Sequence, residues 1–193
     1  MKILSVFFVF MIALIGSLSA QIDTNDDQKL SLNKAEDLIK NEFYKDSKKL
    51  KVVELTTDEV WDKMSTQIYR VEGDEILFYA INGEKVSSLG GSYSYDLDFV
   101  VTDLDNDGNY ELVYTYQFGS GVSRGVVGAY STVEQIAVDE SFTAFNNYSI
   151  LFFNFDKISN NNVTVEVKTA EETLKTGKLG LMDFDGIKIL MLE

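Results

Sequence analysis

From residue 66 onward the dominant spacing of apolar residues switches from every third or fourth position to every second. A period of two sends alternate side chains to opposite faces of an extended segment, so this stretch is committed to β-strands. The segments QIYRV and EILFYAI, then KVSSL after an Asn82–Gly83 turn, read as a meander of short strands. Leu97–Thr102 and Tyr110–Gln117 form the next pair. VVGAY, YSILFFNF and VTVEV follow, and KLGLM and IKILML close the chain through a turn at Asp185–Gly186. No long helical pattern separates these strands, as a doubly wound α/β fold would require. The expected fold class is α+β, predominantly antiparallel β, built as a sandwich, a barrel or a half-open roll.

Two helices are expected before the strands. Ser31 reads as an N-cap, with Leu32, Ala35, Leu38, Ile39 and Phe43 at helical spacing, which predicts a helix over about residues 32–45. A strand around 51–56 comes next, then a second, short helix opened by Thr57 and Asp58 that carries Val60, Trp61 and Met64. Trp61, the one tryptophan, is expected to anchor the core.

The first twenty residues have the make-up of a signal peptide: Lys2, an apolar run Ile3–Ile15 and the mostly small stretch GSLSA ending at Ala20. The apolar run is shorter than the ~20 residues that span a bilayer, so no membrane span is expected after cleavage. The organisation predicted is a signal peptide at 1–20, a flexible mature N-terminus at 21–30 and a single β-rich domain at 31–193. The protein is expected to be exported, to the periplasm, the cell surface or the medium. With no cysteine it can form no disulfide, and with no histidine it cannot assemble Ser–His–Asp catalysis or the usual zinc sites. A net charge of −14 repels phosphate backbones and makes nucleic acid a poor partner.

The chemistry is concentrated in one loop. Asp103, Asp105, Asp107 and Glu111 take positions 1, 3, 5 and 9 of a turn with Gly108 at position 6. Short carboxylates on alternate residues converge on a hard cation, and glycine permits the sharp turn between them. In this reading Asp103, Asp105 and Asp107 give side-chain oxygens, Asn109 its backbone carbonyl, and Glu111 a ligand directly or through water. Residues 86–123 contain no Lys or Arg, so a bound cation rather than a distant lysine is expected to balance the charge. Oxygen-only ligation favours Ca²⁺. Position 12 is Tyr114 and no helices flank the loop, so it is not an EF-hand.

The segment VVTDLDNDGNYELVY resembles the calcium-binding hairpin of FG-GAP and VCBS repeats, whose pattern D-x-[DN]-x-D-G-x-x-[DE] is met at Asp103, Asp105, Asp107, Gly108 and Glu111. The resemblance covers fifteen to twenty residues and occurs once, where those families repeat it. What it implies is the chemistry of the loop and its usual purpose, the stapling of a hairpin.

Two weaker signals complete the reading. The glycine-rich stretch Phe118–Gly128 offers Ser120, Ser123 and Arg124 as an anion- or ligand-binding loop, against the plainer reading of a turn whose arginine offsets the acidic loop. Tyr93, Tyr95, Tyr110, Tyr114, Tyr116 and Tyr130 could form a stacking surface for sugars, or divide between core and sheet surface. Two functions remain open. One is a non-enzymatic binding module with a structural Ca²⁺ and a protein or polysaccharide partner. The alternative is a hydrolase using carboxylates or metal in a cleft beside Gly119–Arg124.

Overall fold

The structure, a computed structural model, describes residues 28–44, 50–92, 95–119, 124–139, 142, 152–159 and 161–193. The expected signal peptide, most of the expected flexible N-terminus, Tyr93, Ser120 and Ser123 lie outside the described residues.

Helix α1 (Leu32–Phe43) starts where Ser31 caps it, its hydroxyl accepting the N–H of Lys34. Its buried residues, Ala35 and Ile39, are four apart and therefore share one face. Strand β1 (Lys51–Glu54) leads to helix α2 (Asp58–Met64), capped by the Thr57 hydroxyl accepting from Val60 N–H at 3.3 Å. Trp61 is not a core anchor. It lies half-buried outside the core clusters, with the Lys29 ammonium 5.5 Å from its ring centroid. The buried face of α2 is Val60 and Met64, again four apart, and Trp61, one position on from Val60, is turned away from it by helical phase.

Strands β2 (Thr66–Glu72), β3 (Ile76–Asn82) and β4 (Lys85–Ser92) follow as an antiparallel meander, giving a sheet of order β1-β2-β3-β4. The β3–β4 turn falls on Gly83–Glu84, one residue later than expected. Asn82 stays in register opposite Lys85, because its carboxamide donates to the carbonyls of Met64 and Ser65 at the end of α2. Gly83 alone takes a positive φ of 58° there. Strands β5 (Leu97–Thr102), β6 (Glu111–Phe118) and β7 (Arg124–Tyr130) form a second, three-stranded antiparallel sheet.

The third sheet has five strands in the order β8-β12-β11-β10-β9, with β8 Ile136–Val138, β9 Phe152–Ser159, β10 Asn162–Lys168, β11 Thr173–Phe184 and β12 Ile187–Leu192. Asp185 (φ 52°) and Gly186 (φ 79°) make the two-residue turn between β11 and β12, as the left-handed tolerance of Asp-Gly leads one to expect. Strand β8 has no counterpart in the sequence reading, and it pairs parallel with β12, so that Ile136 faces Lys188.

The sheets stack as layers. Alternate residues of β6 point to opposite sides: Leu112 into a core with Ile68, Phe78 and Ala80 of the first sheet, Val113 into a core with Val165, Leu179 and Leu190 of the third. The three-stranded sheet is thus buried on both faces. Helix α1 covers the outer face of the first sheet over Tyr69, Val71 and Tyr79. The architecture is α+β with predominantly antiparallel sheets, as expected, and it sets the β5–β6 loop at one end of the sheet that is packed on both faces.

Candidate metal centre

The acidic loop occupies residues 103–110, between the last residue of β5 and the first of β6, with Thr102 and Glu111 paired across the ladder. Its carboxylates are turned back onto their own backbone. Asp103 accepts from Asp107 N–H at 3.1 Å through Oδ1 and from Gly108 N–H at 3.1 Å through Oδ2. Asp105 Oδ1 accepts from Asp107 N–H at 3.3 Å, and Asp107 Oδ1 from Asn109 N–H at 2.8 Å. The turn that permits this passes through positive φ at Asn106 (63°) and at Gly108 (92°). A side chain at Gly108 would meet no steric obstacle, so the glycine is required by its backbone angle alone. Asn161, on the turn before β10, donates its side-chain amide to Asn106 and fixes the tip of the loop to the third sheet.

Glu111 is fully buried. One carboxylate oxygen, Oε2, accepts the N–H of Leu104 at 2.9 Å; the other, Oε1, is buried and has no hydrogen-bond partner among the described residues. Burial pushes the Glu111 carboxyl up to about 7; the Leu104 N–H works against this, and the neighbouring Asp105, Asp107 and Asp103 reinforce it. Asp107 is held below its usual range, first by the Asn109 backbone N–H, then by the Asn109 side chain and by Lys188.

Two sets of carboxylates could each hold a metal ion, because in each one oxygen per residue lies within 4.8 Å of the others: Asp103 with Asp105 and Glu111, and Asp105 with Asp107 and Glu134. Asp105 is common to both. Of the expected ligands, then, Asp103, Asp105 and Glu111 converge, while Asp107 turns towards Glu134. Asn109 is seen as a partner of Asp107.

The expectation that no lysine balances this charge is overturned. Lys188 Nζ donates to Asp105 Oδ2 at 2.6 Å, and the ammonium is held above its usual range chiefly by that bond. Glu134 and Lys188 are the two residues that sequence reasoning missed. Half of the signal was there: a two-residue turn at Asp185–Gly186 sets Asp183 directly opposite Lys188. The other half, the parallel pairing of β8 that delivers Glu134, has no local signature.

Of the anion-loop candidate only Arg124 lies among the described residues, and it stands apart from this site. Arg124 is exposed at the start of β7, paired with Phe118, whereas the acidic loop adjoins Glu111 at the other end of β6. Seven residue steps at ~3.3 Å each separate the two ends by roughly 23 Å, which places Arg124 well away from the acidic loop. The tyrosines divide: Tyr114, Tyr116 and Tyr130 pack between the first and second sheets, and Tyr95 and Tyr110 are exposed. A cleft of about 480 Å³ does border the site. Glu134, Ser87, Ser131, Thr132 and Gln135 wall it, over Tyr114 and Leu89.

No family model, curated protein or solved structure matches this chain. Among the described residues no helix is long and apolar enough to cross a membrane.

Proposed function

We propose that the protein is an exported, non-enzymatic binding module in which one Ca²⁺, held by Asp103, Asp105 and Glu111, locks the β5–β6 hairpin into the layered fold. One observation carries this reading. Glu111 is buried with one oxygen that has no hydrogen-bond partner among the described residues, and its carboxylate belongs to a set of three close enough to share an ion. A buried carboxylate left unpaired is costly, and a hard cation bound by several oxygens removes the cost. Asp107 and Asn109 belong to the same loop and would complete the oxygen set. The residues suit Ca²⁺ better than a transition metal, because no nitrogen or sulfur donor stands among them. Mg²⁺ is a weaker candidate, since it parts reluctantly with its water for an all-protein cage.

The partner is a protein or a polysaccharide. The cleft beside Glu134 favours the second: its hydroxyl and amide lining over a tyrosine suits a neutral, polyhydroxylated chain better than an apolar ligand. The strongly negative net charge disfavours polyanions.

Thermal unfolding in excess chelator, then in rising Ca²⁺ with Mg²⁺ as control, tests the metal reading. A saturable rise in Tm with Ca²⁺ alone supports it. An unchanged Tm would leave an acidic turn without an ion and remove the reading.

A further inference from the structure

Lys188 stands 83 residues beyond Asp105 in the chain, yet its ammonium is enclosed by four carboxylates from three separate segments. Nζ lies 2.6 Å from Asp105 Oδ2, 3.8 Å from Asp107 Oδ2, 3.8 Å from Glu134 Oε2 and 4.0 Å from Asp183 Oδ2. The side chain is only 14% exposed. Asp105, Asp107 and Glu134 are the same three residues that form the second acidic set, so the ammonium already sits where a second ion would go. Asp105 also belongs to the first set, and Lys188 holds one of its oxygens. An ammonium is a compact point charge on a flexible stem, able to stand in for a cation among carboxylates and to withdraw from them.

We propose that Lys188 is a tethered counter-cation of the metal centre: it keeps the acidic loop closed when no ion is bound, and it sets the affinity for Ca²⁺ by competing for Asp105. The inference rests on the reading of the loop as a cation site. It explains why two acidic sets sharing Asp105 would take one ion rather than two. It also gives the site a threshold. An ion must either displace the ammonium from Asp105 or bind beside a positive charge, so the loop fills only at Ca²⁺ levels higher than its carboxylates alone would require.

A lysine that merely braces the fold behaves differently. Its removal would lower stability with and without metal alike and leave affinity untouched. Lys188→Met and Lys188→Arg separate the two cases, with Ca²⁺ affinity measured by calorimetric titration and Tm measured in chelator. A unit charge this close to an ion changes its affinity by about tenfold or more. Lys188→Met should therefore bind Ca²⁺ at least about tenfold more tightly than wild type while melting lower in chelator. Lys188→Arg, which keeps the charge, should stay near wild type in affinity. Should Lys188→Met not fold without metal, Lys188→Gln retains a donor towards Asp105 and carries the same expectation for affinity. Equal or weaker binding by the neutral variants, with wild type binding normally, overturns the role given to Lys188 alone. No binding by wild type or any variant defeats the cation-site reading, and the competition falls with it.

Discussion

The backbone N–H of Leu104 donates to Glu111 Oε2 at 2.9 Å, tying the first turn of the acidic loop to the strand that leaves it. Both partners are anchored. The Leu104 side chain is buried in the core between the second and third sheets, and Glu111 is fully enclosed. The loop is thus held at its base before any ion arrives, and what it lacks is charge balance at Glu111.

Glu111→Gln tests that balance. Glutamine keeps the shape and can still accept from Leu104 N–H, but it removes a buried charge. In chelator at pH 8 the variant should be at least as stable as wild type, because a desolvated carboxylate has been replaced by a neutral group. In Ca²⁺ the order should reverse, since wild type gains stability and the variant does not. A variant that is destabilised in chelator yet still responds to Ca²⁺ would contradict the placement of Glu111 in the site.

The same residue sets a pH dependence for the metal-free protein. The Glu111 carboxyl rises to about 7 in the fold, above its ordinary value of 4.5. A raised folded-state value means that the native state binds the proton more tightly than the unfolded chain. Its contribution to stability is therefore complete below about 4.5 and is lost as pH rises towards and through 7. Urea unfolding in chelator at pH 5, 6, 7 and 8 should show stability falling across that window, and Glu111→Gln should flatten the fall. Saturating Ca²⁺ should also flatten it, because the ion replaces the proton.

Asp105 and Asp185 are both acids in tight turns, and they should separate cleanly. Asp105 is shared by both acidic sets and bonds Lys188, so Asp105→Ala should weaken Ca²⁺ binding by about a hundredfold or more. Asp185 sits at φ 52° in the β11–β12 turn, where alanine costs about 1 kcal/mol of backbone strain. Asp185→Ala should therefore lower Tm and leave affinity unchanged, and Asp185→Asn or Asp185→Gly should restore the Tm. Equal losses of affinity from the two alanine variants would move the site.

The parts of this structure that were legible in the sequence are those with a local cause. Alternation gave away the strands of the first two sheets, and Ser31 and Thr57 marked both helix starts because a side-chain cap acts within three residues. The spacing Asp103, Asp105, Asp107 and Gly108 encoded the turn for the same reason. Trp61 misled because large apolar side chains are buried on average, while helical phase gave the inner face of α2 to Val60 and Met64. Lys188, Glu134 and β8 were hidden because their positions depend on a parallel pairing across about fifty residues, for which three-residue strands leave no pattern. The ligand loop could be read, but the charge that balances it could not.

The contact between the first and second sheets gives a last prediction, independent of the metal. Tyr79 pairs with Ser88 and Phe78 with Gly90, so Leu89 is the extra residue of a bulge, and Gly90 takes a φ of 121° beside it. Tyr116 from the second sheet lies over Gly90: a Cβ there would come within 1.9 Å of the phenol oxygen and 2.7 Å of Cζ. Tyr116 cannot simply swing aside, because its ring stacks on Tyr114 at an interplanar angle of 9° and packs against Phe78 with centroids 5.9 Å apart. Gly90→Ala adds backbone strain to this clash and should destabilise the protein by about 3 kcal/mol. Tyr116→Phe removes the nearest atom but not the ring, so in the Gly90→Ala background it should recover part of the loss and show favourable coupling in a double-mutant cycle. Both sites lie towards the end of the β5–β6 ladder remote from Thr102 and Glu111, where Tyr116 pairs with Leu97. Ca²⁺ affinity should be unchanged in every folded variant of the pair. A fall in affinity would mean that the acidic loop depends on how these two sheets pack, rather than on its own hydrogen bonds and on Lys188.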